Sequence, residues 1–307
     1  MRRIETIITR VRRETENDDF GENYGINDEE CIEYLNDAQD RVYSEIVKTH
    51  SKFFLKEYIT TVLPGVEQFS LPTRIYLGQI SLFEYAITQN PNDYYRLKPA
   101  SILERASVSG TPAFYIRKNK VILFAPIPQN NGSVRITYVE KLPRIDKRRA
   151  TILSATTSGQ NITSLTLDTS AFLDYENLMT ENYFSVVNRD GDSVMFGIPF
   201  TDINTSSGIV TLDTSWSFEA GESISAGDYL VLGQYAVNRS MLETTCERYL
   251  TAHLRNEMYD RDANQQGTAN QTQKMEKLLF EVIGSYQDNT DDLVDPPVLD
   301  ASYLIGY

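Results

Sequence analysis

The chain has little of what catalysis and membrane insertion require. Its 307 residues include two histidines, two cysteines and one tryptophan. No apolar run approaches the roughly 20 residues of a membrane-spanning helix, and the opening MRRIETIIT lacks the hydrophobic core of a signal peptide, so a soluble chain not exported by that route is expected. A phosphate-cradling glycine loop, a nucleophile elbow and a His/Cys metal spacing are all absent, which argues against an enzyme and against any cofactor or metal. His50 closes the second helical stretch and His253 lies on the inward stripe of the third. Neither has an obvious acidic or nucleophilic neighbour in sequence, so His253 is expected to be a hydrogen-bonded residue between helices. Cys31 and Cys246 both fall on apolar helical stripes and are expected as reduced core thiols.

Positive charge is missing from two regions. Residues 151–232 carry eleven Asp or Glu against the single basic Arg189, a balance of −10 out of −14 for the chain. After Lys277 there is no basic residue, while Glu281, Asp288, Asp291, Asp292, Asp295 and Asp300 follow. Gripping a nucleic acid needs clustered Lys and Arg against phosphate, so this half of the chain is a poor candidate. The opening helix has five arginines, with Arg3, Arg10 and Arg13 on similar sides and Arg2 and Arg12 flanking them. Without stacking aromatics nearby, they point to a solvated face or an acidic partner protein rather than to nucleic acid. The same holds for Arg144, Lys147, Arg148 and Arg149.

Present instead are four amphipathic helical stretches. Ile4, Ile7, Ile8 and Val11 recur at helical spacing in the first. In the second, INDEECIEYLNDAQDRVYSEI, Asn27 can cap the first turn with Glu30 completing a capping box, so the helix begins at about Asp28. Its stripe is Ile32, Leu35, Ala38, Val42 and Ile46, opposite a polar flank with Asp37, Asp40 and Arg41. Matching stripes come more than 200 residues later: Leu242, Cys246, Tyr249, Leu250, His253 and Leu254, then Met275, Leu278, Leu279, Val282 and Tyr286.

Between the helix pairs lie short β-branched and aromatic runs broken by Pro64-Gly65, Asn90-Pro91 and Asn130-Asn131-Gly132, expected as antiparallel strands and hairpins. From Ala150 the texture turns to Thr, Ser, Asp and Gly with strand-like alternation, as in an inserted acidic β module whose sheets have one wet face. Within it NRDGDS alternates Asn188, Asp190 and Asp192 like a calcium loop but lacks the distal bidentate Glu, so a hairpin turn is expected. The stretch DNTDDLVDPPVLDASYLIGY cannot be helical through Pro296-Pro297, yet it is rich in apolar residues.

Length allows one to three domains. The expected fold class is α+β: a four-helix frame from both chain ends around antiparallel β segments. The divisions are 1–52 for helices one and two, 53–149 for the β section, 150–235 for the acidic module, 236–287 for the closing helices and 288–307 for an extended arm.

RVRRETEND leading through an acidic loop to EYLNDAQDRVYSEI, then strands, a closing helix pair and an extended tail, resembles the head-to-tail connector (adaptor) proteins of tailed bacteriophages, especially short-tailed ones. The resemblance covers residues 1–52 and 236–307. It implies a structural virion protein made in the host cytoplasm and placed at the head–tail junction. There it would form a homo-oligomeric ring, usually twelve-fold, beneath the portal protein and above a downstream tail protein, around a channel for DNA that passes without sequence-specific binding. In such a ring Asp37, Asp40 and Arg41 would meet the adjacent subunit. Arg3, Arg10 and Arg13, and Leu299, Tyr303, Leu304, Ile305 and Tyr307 of the arm, would contact a neighbour or the portal. A competing reading is a tail or baseplate component whose acidic module binds a glycan through Trp216, Tyr183 and Phe218. A hydrolase with paired carboxylates is a third, although no pairing stands out.

Overall fold

The computed structural model describes residues 4–15, 27–72, 75–87, 93–101, 109–118, 121–158, 161–168, 183–190, 193–204, 206–213, 223–233, 243–261 and 264–288. The chain is α+β, with four α-helices and several sheets among these residues. Contacts divide it into two compact units, one drawn from residues 6–50 and 239–307, the other mainly from 51–238.

The helices are α1 (Ile4–Glu14), α2 (Asp28–His50), α3 (Glu243–Arg261) and α4 (Gln265–Asp288). At the start of α2 the capping box forms in full. The Glu30 amide donates to Asn27 Oδ1 at 2.8 Å, and the Asn27 amide donates to Glu30 Oε2 at 3.0 Å, satisfying N–H groups that have no intrahelical partner. Asn264 joins α3 to α4: its amide donates to the Tyr259 carbonyl, and its side chain accepts from the Gly267 amide at 2.9 Å. Gly267 lies against the Tyr259 ring, 2.7 Å from where a Cβ would stand, so the corner requires glycine.

The expected stripes of α1 and α2 are buried, as are Cys246, Tyr249, Leu250, His253 and Leu254 of α3 and Met275, Leu278, Val282 and Tyr286 of α4. Leu279 is half-buried, and Leu242 lies outside the described residues. α2 packs against both α3 and α4, and α3 packs along α4. The buried face of α2 is wider than its apolar stripe, because Asn36 and Gln39 are buried too. Asn36 is accommodated by donating from Nδ2 to the Ile32 carbonyl at 2.8 Å, as a buried amide must. Cys31 and Cys246 are free and buried, and burial pushes their thiols up to about 11 and about 12.

The second unit opens with β1 (Leu55–Val62), β2 (Gln68–Ser70), β3 (Ile75–Ala86), β4 (Tyr95–Arg96) and β5 (Lys98–Pro99). There follow β6 (Ser109–Gly110), β7 (Phe114–Lys118), β8 (Val121–Ala125), β9 (Ile127–Pro128) and β10 (Gly132–Glu140). One sheet has the order β1-β10-β3-β4 and another β2-β8-β7-β5, with Phe83, Tyr85, Ile122, Phe124, Val134 and Ile136 in their shared core. Pairing is antiparallel as expected except in two short ladders, β5 with β7 and β6 with β9, which are parallel. Each spans two residue pairs and includes a Pro or Gly, residues that punctuate the sequence without revealing which strand lies alongside.

From Ala150 the chain forms a closed barrel of β11 (Ala150–Ser158), β12 (Asn161–Leu167), β13 (Tyr183–Val187), β14 (Ser193–Asn204), β15 (Ile209–Leu212) and β16 (Tyr229–Val231). The order is β11-β12-β15-β14-β13-β16, closed by Ala150 pairing with Leu230, and every pair is antiparallel. The alternation seen in sequence places Leu165, Leu167, Val210 and Leu212 inside with Phe184, Val186 and Ile198. NRDGDS is the connection of the β13–β14 hairpin, where Val187 pairs with Ser193, although Gly191 and Asp192 lie outside the described residues.

Two of the four cations of the basic loop 144–149, Arg148 and Arg149, are engaged within the chain, and all four are half-buried. Asp146 is buried; its carboxylate accepts from Arg149 Nε at 2.9 Å and Nη2 at 2.5 Å, and from the Leu232 amide at 3.0 Å. The segment before β11 is thereby fastened to the residue after β16. Arg148 lies over the Tyr229 ring at 4.4 Å and donates to the Arg189 carbonyl at 3.1 Å. Burial pushes the Asp146 carboxyl up while Arg149 opposes the shift. Asp146→Ala would leave Arg149 buried without its anion, a loss of about 3–5 kcal/mol, whereas Arg148→Ala removes a more exposed contact of about 0.5–1 kcal/mol. Denaturant unfolding of the two variants is expected to rank them in that order.

Candidate interaction surfaces

The arginines of α1 are divided by their positions on the helix. Arg12 turns inward, 9% exposed at its side chain, to pair with Asp28 at 2.7 Å and donate to Cys31 Sγ at 3.7 Å. It is an internal fastener, not part of a solvated or partner-facing row. Arg10 and Arg13 are exposed, with Arg10 held to Glu14 at 2.8 Å, and Glu14 also takes Arg255 of α3. Arg3 lies outside the described residues.

On α2, Asp37, Asp40 and Arg41 are all exposed, at the three- and four-residue spacing that gathers side chains on one helix face. The row is therefore on the solvent-facing side of α2. Beneath it Arg41 and Asp37 act on His253, which is buried among the helices. Contrary to the expectation of a hydrogen-bonded histidine, His253 Nδ1 has no hydrogen-bond partner among the described residues, and neither has the buried Tyr249 hydroxyl. Their rings are 6.4 Å apart. Nothing in the sequence marks these two groups, because an inward position at helical spacing says nothing about what stands opposite a ring nitrogen.

Leu299, Tyr303, Leu304, Ile305 and Tyr307 lie outside the described residues, as do Trp216 and Phe218. Tyr183, the third residue of the glycan reading, is 8% exposed within β13, so its ring is spent on the barrel and offers no platform for a sugar. Among the described residues no His, Cys, Asp or Glu cluster could hold a metal ion, and no helix is long and apolar enough to cross a membrane.

Burial, followed by repulsion from Arg41, holds the His253 imidazole below its ordinary value of 6.5, with Asp37 opposing. Glu257 Oε1, 3.8 Å from Nε2, is too distant to offset the burial. The folded state thus resists a proton that the unfolded chain accepts. This costs nothing above pH 6.5, and stability is lost as pH falls from 6.5 towards the folded value, by up to about 1.4 kcal/mol per pH unit for one proton. Thermal unfolding between pH 7.5 and 5.5 is expected to show that slope, and His253→Gln to flatten it.

The sequence profile of the SU10 adaptor protein family matches residues 3–198. No curated protein matches the chain. The match takes in α1, α2, the β section and the barrel as far as β14, and stops before α3. This corrects the span of the resemblance, which rests on residues 1–52 and 236–307: the family's signature runs through the strands and into the acidic module rather than through the closing helices. Amphipathic helix patterns are shared by many unrelated proteins, so they carry less family information than the strand region does. With more than half of its residues matched, the chain belongs to the SU10 adaptor protein family, whose members are phage head-to-tail adaptors.

Proposed function

We propose that the protein is a head-to-tail adaptor that forms a ring, twelve-fold in the pattern of such connectors, beneath the portal of a tailed phage. It links head to tail and surrounds the channel through which DNA passes without base recognition. The observation that carries this reading is the family match over residues 3–198. In it, residues 1–52 and 236–287 make one four-helix frame, 150–235 is an insert, and 288–307 is an interaction arm.

The exposed α2 row supports the ring. A cyclic assembly needs a heterologous interface in which one patch of a subunit meets a different patch of the next, and mixed charges such as Asp37, Asp40 and Arg41 set register and reject wrong partners more than they add affinity. The barrel, acidic in sequence, supports a channel role in which duplex DNA is not retained, because each added Lys or Arg contact with phosphate would strengthen sequence-independent binding.

The test is mass photometry of the purified protein with and without portal. A monomer or loose oligomer alone and a ring on the portal are expected; a stable dimer indifferent to portal would overturn the reading. Asp40→Lys is expected to weaken ring formation at least tenfold while changing monomer unfolding by no more than about 0.5 kcal/mol, as for an ordinary surface substitution.

A further inference from the structure

We propose that β1 is the docking edge for residues 298–307 of a second copy of this chain, which add to its sheet as a further strand. The inference rests on reading residues 288–307 as an interaction arm and adds the surface that receives it.

β1 is unlike the other long strands. It pairs with β10 on one side only among the described residues, so the backbone groups of its other side are unpaired by any described strand. Six of its eight residues are exposed, including Tyr58 at 38% and Ile59 at 57%. A long, apolar edge open to solvent is a template for another strand unless charge, proline or a covering element blunts it. β1 has no proline; of its two charged residues Lys56 is held by Glu140 at 3.0 Å, and Glu57 is exposed on the face away from Tyr58.

The segment VLDASYLIGY has the pattern of a strand. Counting by two from Leu299 gives Leu299, Ala301, Tyr303, Ile305 and Tyr307 on one face, an unbroken apolar row, with Val298, Asp300, Ser302, Leu304 and Gly306 on the other. Pro296-Pro297 stand just before it, where they cost no ladder hydrogen bond. Ten residues after the prolines suffice to pair along the eight of β1.

The side of β1 that such a row would extend is identifiable. Lys56, Tyr58 and Thr60 stand opposite Tyr138, Ile136 and Val134, which belong to the core between the two sheets. Tyr58 also approaches Phe69 at 6.4 Å between ring centroids. Apolar residues beside Tyr58 would therefore continue an existing core, as strand addition commonly does.

The apolar character of the edge favours this occupant over DNA. Residues 298–307 carry one acidic residue, Asp300, and no base, so the segment is apolar rather than a polyanion. Tyr58, Ile59 and Leu63 give phosphate nothing to bind, and Lys56 and Arg135 are already paired with Glu140 and Glu84.

The test uses the full chain without portal, so its outcome is independent of whether a ring forms there. Hydrogen exchange is followed at increasing protein concentration, and separately at low concentration with an excess of synthetic peptide 288–307. The alternate amides of residues 58–61 that point away from β10 are expected to gain at least tenfold protection in both series. Peptide binding is expected to weaken at least tenfold with Tyr58→Asp in the protein or Tyr303→Asp in the peptide. Failure of the peptide to bind, protection elsewhere than β1, protection independent of protein concentration (the chain's own tail), or protection by duplex DNA but not by peptide would each overturn the proposal.

Discussion

Three helices are tied together at a single turn. Asp28 and Glu30, both in the first turn of α2, each take a guanidinium from another helix: Arg12 of α1 at 2.7 Å and Arg261 of α3 at 3.2 Å. The two carboxylates also lie at the end of α2 where the macrodipole favours negative charge. Glu30 serves in the capping box besides, and the backbone hydrogen bond with Asn27 is the largest influence holding its carboxyl below the ordinary value. Both ion pairs are partly exposed and individually weak. Their consequence is geometric: with the first turn fixed, the wide inner face of α2 is directed at α3 and α4, and Asp37, Asp40 and Arg41 are left outside.

What the sequence disclosed follows from the range of the interactions. The capping box, the helix stripes and the alternation inside the barrel depend on residues within a few positions of one another, and all were legible. Arg12 was not, because its partner Asp28 lies across a loop and nothing local distinguishes an inward arginine from its neighbours Arg10 and Arg13. The burial of Asn36 and Gln39 was equally unmarked, since nothing local shows that the space between α2 and its partners admits them. Closure of the barrel was equally hidden: alternation shows that a strand has one dry face, but closure depends on β16, three residues long, returning to β11.

Charge is distributed by region, and the structure changes how that distribution is used. Four of the basic residues of 53–149 sit in the loop before the barrel, where Arg149 is consumed by Asp146 and Arg148 by Tyr229 and the Arg189 carbonyl. Half of a cluster that looked like a solvated face or a contact for an acidic partner thus fastens the β section to the barrel.

The outward row of α2 and the buried imidazole beneath it are not independent. Arg41 raises the cost of protonating His253 and Asp37 lowers it, so a change at either residue alters both the surface and the titration of the interior. Removing Arg41 relieves His253 of a repulsion and reduces the acid sensitivity of the helices, while removing Asp37 increases it. A neighbour that neutralised Arg41 would have the same sign of effect as its removal. Assembly through this face would then stabilise the helices most at mildly acidic pH, where the histidine is closest to accepting a proton. Asp40 is not among the charges that bear on His253, and of the three residues it reports most directly on contact between subunits.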